Sequence, residues 1–131
     1  METQSIHATV LASQQGKLTF PEVVGKLMEA GVESYFVDFA SGKETVYMSD
    51  RQSYAESMIL ALDPVAEEFS VSGLMAAIRG AQADTIRYPE FVKRSTAAGV
   101  IAYWAFLTGG KVIYFGRKGE SHVEEFPKAG K

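Results

Sequence analysis

Hydrophobic and polar residues follow two different periods along the first third of the chain. Between Pro21 and Gly31, apolar residues recur at the spacing of one helix face, which predicts a helix that begins just after Thr19. A weaker pattern before Gly16 predicts a preceding helix. The next segments, ESYFVDF and KETVYM, are rich in β-branched and aromatic residues and flank a Ser-Gly turn. They predict the two strands of a β-hairpin.

The same pattern returns later in the chain. Displacing the sequence by 68 positions aligns Phe20–Lys43 with Tyr88–Lys111, and nine of these 24 positions are identical. Average residue usage gives roughly one or two identities by chance. We therefore predict two copies of one α-α-β-β-β unit, at residues 5–58 and 73–126, joined by a connection at 59–72.

The two units are predicted to form a single α+β domain over residues 1–131, with one antiparallel sheet and pseudo-two-fold symmetry. One unit is too small to bury its apolar face alone. The segment IAYWAFL is apolar on both faces, so we expect it to lie centrally in the sheet. Third strands are predicted at Ser53–Met58 and Glu120–Phe126, and residues 128–131 are predicted to form a loose tail.

The first predicted strand of each copy shares one face with its counterpart and differs on the other. Tyr35 and Tyr103 lie on the shared face, which we expect to face a common core. The opposite face is partly polar in the first copy and apolar in the second. If this apolar face is exposed, a second molecule is expected to cover it, which predicts a homodimer. The differing residues are Ser34, Phe36 and Asp38 in the first copy, and Ala102, Trp104 and Phe106 in the second.

Composition and charge exclude several functions. Thirteen Lys and Arg residues are outweighed by sixteen Asp and Glu residues, so no nucleic-acid partner is predicted. The absence of cysteine rules out disulfides, thiol catalysis and Cys-ligated zinc, and it fits a reducing cytosol. The start METQSIHATV lacks the pattern of a secretory signal, and the apolar runs are shorter than the ~20 residues that span a bilayer. The sequence therefore predicts a soluble cytoplasmic protein without a membrane partner.

Few residues are candidates for chemistry. His122 is flanked by Glu120, Glu124 and Glu125, and an acid-flanked histidine can serve as a general base or metal ligand. The favoured interpretation is a solvent-facing strand histidine, because it belongs to no recognisable motif. With only two histidines and no cysteine, no metal or cofactor is predicted.

Acidic residues offer two further hypotheses. Glu22 and Glu90 occupy equivalent positions, and two carboxylates can flank one pocket as acid and base, but stabilisation of helix N-termini is the favoured role. Asp38 stands in a strand at the position where the second copy has Phe106. An aspartate is costly to bury there, so it is either solvated or paired with a lysine, or it lines a pocket.

Three stretches resemble a known family. They are FPEVV…AGVESYFVDF, ADTIRYPEFVKRSTAAGV…YW and KVIYFGRKGESHVEEFP, and together they cover nearly the whole chain. The pattern is similar to the YbcV-like family, small bacterial and prophage-linked proteins that are sometimes labelled phage envelope proteins. The resemblance implies a Gly-Glu-x-His arrangement in both copies. Gly119–His122 has it, but Tyr54 stands where the first copy would have the histidine.

Two classes of function stay open. The first is a non-enzymatic binding or interaction protein, which the lack of a recognisable catalytic constellation favours. The second is a small enzyme or carrier whose ligand, not identified by the sequence, lies between the copies near Asp38, Tyr35 and Tyr103. His122 completes the set of candidate ligand-binding residues.

Overall fold

The structure, a computed structural model, describes residues 1–127, so the tail predicted at 128–131 lies outside the described residues. Within this range the chain forms four helices and six strands, which confirms the predicted α+β class. In chain order the elements are α1 (Thr3–Gln14), α2 (Phe20–Glu29), β1 (Val32–Asp38), β2 (Lys43–Met48), β3 (Ser53–Ser57), α3 (Val71–Gln82), α4 (Tyr88–Ala97), β4 (Val100–Phe106), β5 (Lys111–Gly116) and β6 (Ser121–Glu125).

The elements fall into two runs with the same order and the same lengths. Each run contains helices of 12 and 10 residues, followed by strands of 7, 6 and 5 residues. Every element of the second run also follows its counterpart in the first by the same displacement that aligns the two copies in the sequence. The predicted order α-α-β-β-β therefore occurs in both halves of the chain.

All six strands join one antiparallel sheet in the order β3-β2-β1-β4-β5-β6. The central position predicted for the IAYWAFL segment is confirmed, because β4 pairs with β1 at the middle of the sheet. In this pair Phe36 lies opposite Trp104, which is its own counterpart in the second half. Exchanging the two halves therefore reproduces the order of the strands.

The core lies between the helices and one face of the sheet. The fully buried apolar side chains come from both layers, with Ile6, Leu27 and Leu74 from helices and Val37 and Val100 from strands. Burying each such side chain stabilises the fold by roughly 1.5–3 kcal/mol. Tyr35 and Tyr103 are also buried, which confirms that their shared face points into the core.

The connection between β3 and α3 passes the C-terminal end of α4. Its Ala66 and Ser70 donate backbone hydrogen bonds to the carbonyls of Thr96 and Ala98, at 3.0 and 2.7 Å. Gly99 adopts a φ of +90°, and a Cβ at this position would overlap the carbonyl oxygen of Glu68. Only glycine fits this close approach.

The first turns of α2 and α4 differ in their capping. In α2 the Thr19 hydroxyl accepts a bond from the Glu22 amide at 3.3 Å, and the Glu22 carboxylate accepts one from the Thr19 amide at 2.8 Å. The bond from the Thr19 backbone lowers the pKa of Glu22. Arg87, at the equivalent position of α4, forms no capping bond, and Glu90 pairs with Arg94 at 2.9 Å. The capping role favoured for Glu22 is confirmed.

Candidate functional site

A cavity of about 80 Å³ lies between the helical layer and the sheet. All four helices contribute to its wall, as do every strand except β3 and the residues that follow β6. The volume is enough for several water molecules or for a ligand of a few heavy atoms. Most of the lining is apolar, with Val10, Val23, Phe91 and Val112 among the lining side chains.

Tyrosine is the most frequent residue type in this wall. Tyr35, Tyr88, Tyr103 and Tyr114 all line the cavity. The hydroxyl groups of Tyr88 and Tyr103 share a hydrogen bond of 2.7 Å. The ring of Tyr103 lies 5.6 Å from that of Tyr114 and 6.2 Å from that of Tyr35, between ring centroids. These contacts hold the four rings in one connected cluster around Tyr103.

Burial keeps the tyrosine hydroxyl groups protonated. It raises the pKa of Tyr35, Tyr103 and Tyr114 above the ordinary value of 10, because the phenolate would lose its hydration. The nearby Glu44 carboxyl group adds to the effect at Tyr35 and Tyr103. At neutral pH these groups therefore act as hydrogen-bond donors and acceptors, and they are poor nucleophiles and bases.

Glu44 is the acidic group of the cavity that is most deeply buried. It lies on β2, opposite Val37 on one side and Glu56 on the other, and only 7% of the residue is exposed. Burial, with a smaller contribution from the charge of Glu56, raises the pKa of Glu44 to about 8. Within residues 1–127 no hydrogen bond offsets this burial. The carboxyl group therefore lies at the cavity wall without a partner in this range of the chain.

A second acid, Glu56, lies opposite Glu44 on β3, which is an edge strand of the sheet. Its Oε1 atom lies 2.9 Å from Nδ1 of His7 on α1, whereas its Oε2 atom is buried and has no partner among the described residues. The equivalent residue in the second half, Glu124, contacts Arg79 on α3 at 2.7 Å. Burial alone would raise the pKa of Glu124, but the hydrogen bond and charge of Arg79 outweigh it and lower the pKa.

The structure brings together two of the four predicted ligand-binding residues, Tyr35 and Tyr103, at the cavity. His122 lies on β6 opposite Tyr114, beyond the lining. Its Nε2 atom stands 3.5 Å from Glu124 and is buried without a hydrogen-bond partner in the described chain, and its side chain is 21% exposed. The histidine is therefore more buried than the favoured solvent-facing interpretation expected.

Asp38 is separated from the two tyrosines. Strand alternation places it on the opposite face of β1 from Tyr35, and it does not line the cavity. Its carboxylate accepts hydrogen bonds from the Ala40 amide at 2.8 Å and the Ser41 hydroxyl at 2.9 Å. Asp38 thus stabilises the β1–β2 turn and lies outside the cavity that Tyr35 and Tyr103 line, whereas one of the two hypotheses placed it with these tyrosines at a pocket.

Glu44 is the residue that the sequence reasoning missed, although the sequence contains a signal for it. In the segment KETVYM, Glu44 alternates with Val46 and therefore lies on the face of that buried valine. The displacement that aligns the two copies matches Glu44 with Val112. An acid on a buried face, where the other copy has an aliphatic residue, is a mismatch of the same kind as Asp38 at the position of Phe106, and it is the signal that identifies Glu44.

No protein-family model and no curated protein matches this chain. The resemblance to the YbcV-like family therefore stays a prediction. Among residues 1–127 no group of three or more histidine or acidic side chains is placed to hold a metal ion. None of the described helices is both long enough and apolar enough to span a bilayer.

Proposed function

We propose that this protein binds a small molecule in the cavity between its helices and its sheet. The observation that carries the proposal is the Glu44 carboxyl group, which is 7% exposed and faces the cavity without a partner among residues 1–127. An unpaired buried carboxyl group destabilises a fold. A ligand that bonds to it removes that cost, so the arrangement is typical of a binding site.

The tyrosine cluster supports a binding role over a catalytic one. The hydroxyl groups of Tyr88 and Tyr103 bond to each other, and burial raises the pKa of each well above 10. A hydroxyl group with a raised pKa orients a ligand well but attacks or deprotonates it poorly at neutral pH. The cavity therefore combines fixed donors with an apolar wall, as small-molecule sites do.

A cavity-filling substitution tests this proposal. Val112 lines the cavity and is buried, so Val112→Phe is expected to occupy part of the space. Fragments of three to six heavy atoms that raise the melting temperature of the unmodified protein are expected to have no effect on this variant. Val123→Phe is the matched control, because Val123 lies on the neighbouring strand and is 51% exposed. No stabilising fragment, or equal stabilisation of both variants, would contradict the proposal.

Self-association is a second candidate function, and an aromatic cluster on the outer face of the sheet supports it. Trp104 lies 5.2 Å from Phe36, 5.7 Å from Tyr47 and 5.4 Å from Phe106, between ring centroids, and all four residues are only partly buried. The cluster is centred on the pair Phe36–Trp104, so the same patch can serve both members of a two-fold dimer. We propose a second copy of the chain as its occupant.

The mass in solution tests the dimer. We expect light scattering to give twice the mass of one chain at high micromolar concentration, and Phe106→Lys to give a single-chain mass. Val71→Lys is the matched control, since Val71 is an exposed apolar residue of α3 outside the cluster. A single-chain mass for the unmodified protein would remove this candidate.

We also propose that the two halves arose from one duplicated unit. The constant displacement between equivalent elements and their equal lengths support this origin. We further propose a cytoplasmic location and a prophage link. The absence of cysteine supports the first, and the family resemblance supports the last.

A further inference from the structure

Acidic groups outnumber available basic groups around the cavity. Within the described chain Glu44 has no partner, and Glu56, its neighbour across the β2–β3 pair, has a buried Oε2 atom that also lacks one. Arg87 is the basic residue of the lining, and it already bonds to Asp84 at 2.5 and 3.2 Å and to the carbonyl of Gly16 at 3.0 Å. Within residues 1–127, therefore, no basic side chain is available to compensate the Glu44 carboxylate when it ionises.

Aromatic rings enclose this acidic group. Tyr35, Tyr88, Phe91, Tyr103 and Tyr114 line the same cavity, and Phe91 packs edge-on to Tyr103 at 6.3 Å between ring centroids. The faces of such rings attract cations, most strongly where water is excluded. A carboxyl group and several aromatic rings around one small space form a recognised arrangement for holding an ammonium group.

From this juxtaposition we infer that the cavity binds a small organic cation, an alkylammonium group of about four heavy atoms, with Glu44 as its counter-ion. The inference rests on the proposed function and names the ligand class. The size follows from the volume: an apolar cavity of about 150 Å³ accepts benzene, so one of about 80 Å³ accepts a ligand roughly half as large.

The charge of the ligand follows from the ionisation of Glu44. A neutral ligand leaves the buried carboxyl group protonated, whereas a cation compensates the carboxylate and makes its ionisation favourable. Cation binding is therefore expected to lower the pKa of Glu44 from about 8. The groups that face Glu44 on its neighbours are Glu56 on β3 with its partner His7 on α1, Tyr35 on β1, Tyr103 on β4, Tyr88 on α4 and Tyr114 on β5.

A comparison of three probes of similar size tests the inference. Carboxyl ¹³C spectra of Glu-labelled protein are recorded during titrations with n-propylammonium, 1-propanol and propionate at about pH 8. We expect n-propylammonium to bind at least tenfold more tightly than 1-propanol, to shift the Glu44 signal, and to bind more tightly as the pH rises from about 6 to 9. Propionate is expected not to bind. Tetramethylammonium, which donates no hydrogen bond, is expected to bind through the rings and the charge alone.

Variants at Glu44 separate the charge from the shape of the site. Glu44→Gln keeps the size of the side chain and is expected to remove the preference for n-propylammonium over 1-propanol. Glu44→Val, which introduces the residue of the second half, is expected to do the same. Glu33→Gln is the matched control, because Glu33 is an exposed residue of β1 and its loss should leave all affinities unchanged.

The outcomes distinguish this inference from the proposed function. Equal binding of n-propylammonium and 1-propanol, unchanged in Glu44→Gln, would overturn the cation and leave a cavity that binds neutral ligands. Preferential binding of propionate would overturn it in favour of an acidic ligand. If none of these probes binds, the inference is overturned, and the fragment comparison with Val112→Phe decides the proposed function separately.

Discussion

Glu44 in the first half and Val112 in the second occupy equivalent positions of the two copies, and both face the same cavity. The valine shows that this position of the fold accepts an aliphatic side chain. The fold therefore does not require a carboxyl group at Glu44, and a carboxyl group there is less favourable than a valine. A residue that opposes stability at a cavity wall is typical of a site kept for function.

The acids on the two edge strands also differ between the halves, because the acid of the first half is less well compensated by a basic residue than the acid of the second. Glu124 on β6 is compensated by Arg79, which lowers its pKa. Its counterpart Glu56 on β3 meets a histidine, His7, and one of its oxygens has no partner within the described residues. The first half thus places two acids side by side, and the charge of Glu56 adds to the effect of burial in raising the pKa of Glu44. Ligand-binding chemistry is expected from the first half, and stability from the second.

Among single substitutions at one pH, transferring the acid to the second half is expected to have the largest effect. Val112→Glu would bury a carboxyl group beside Glu124. We expect it to lower the free energy of unfolding by roughly 3 kcal/mol at about pH 8, because the new charge has no partner. Urea denaturation measures the change, and Val112→Gln is the control of equal size. A loss below about 1 kcal/mol would show that the two halves tolerate the acid equally.

The pH dependence of stability gives the next effect. The unfolded chain releases the Glu44 proton near the ordinary pKa of 4.5, whereas the folded protein retains this proton until the pH approaches the folded pKa of about 8. The folded state binds more protons in this window, so the free energy of unfolding falls as the pH rises through it, by up to about 1.4 kcal/mol per pH unit. The contribution is complete below pH 4.5 and is lost once the pH passes about 8.

Urea denaturation across this window measures the dependence. Glu44→Gln and Glu44→Val are expected to flatten the profile, and Glu44→Val is expected to be the more stable above about pH 8. Glu33→Gln should keep the slope of the unmodified protein. An identical slope in Glu44→Gln would assign the pH dependence to other groups.

A smaller effect distinguishes the two helix starts. The Thr19 hydroxyl caps α2, whereas Arg87 forms no capping bond at the start of α4. Thr19→Ala is expected to lower the free energy of unfolding by about 1 kcal/mol. Thr108→Ala, at an exposed position of the β4–β5 turn, is the control and should change little. Equal effects of both substitutions would mean that the capping box does not stabilise the first half.

Much of the fold was predictable because the two halves of the sequence repeat one pattern of apolar, proline and glycine positions. The repeat of Pro21 as Pro89 and Gly31 as Gly99 marked where the helices begin and end, and the alternation around Tyr35 and Tyr103 indicated the buried face. Periodicity identifies such features because it reflects which side of an element meets the core.

The candidate site was only partly predictable. The cavity depends on the distance between the helices and the sheet, and the periodicity of the sequence does not determine that distance. Asp38 and Glu44 are both acids within one hairpin, and alternation along each strand places Asp38 on the face opposite Tyr35 and Glu44 on the face of Val46. The pairing of β1 with β2 adds that Glu44 lies opposite the buried Val37, which shows that its face is the buried one.

The carboxyl ¹³C shift of Glu44, followed by NMR from about pH 4 to 10 in the ligand-free protein, tests the central claim most directly. The signal is assigned by its loss in Glu44→Gln. If Glu44 is a buried, unpartnered carboxyl group, its pKa will be about 8. A pKa near the ordinary 4.5 would show that the group is solvated or paired, and it would contradict both the difference between the two halves and the binding site proposed from it.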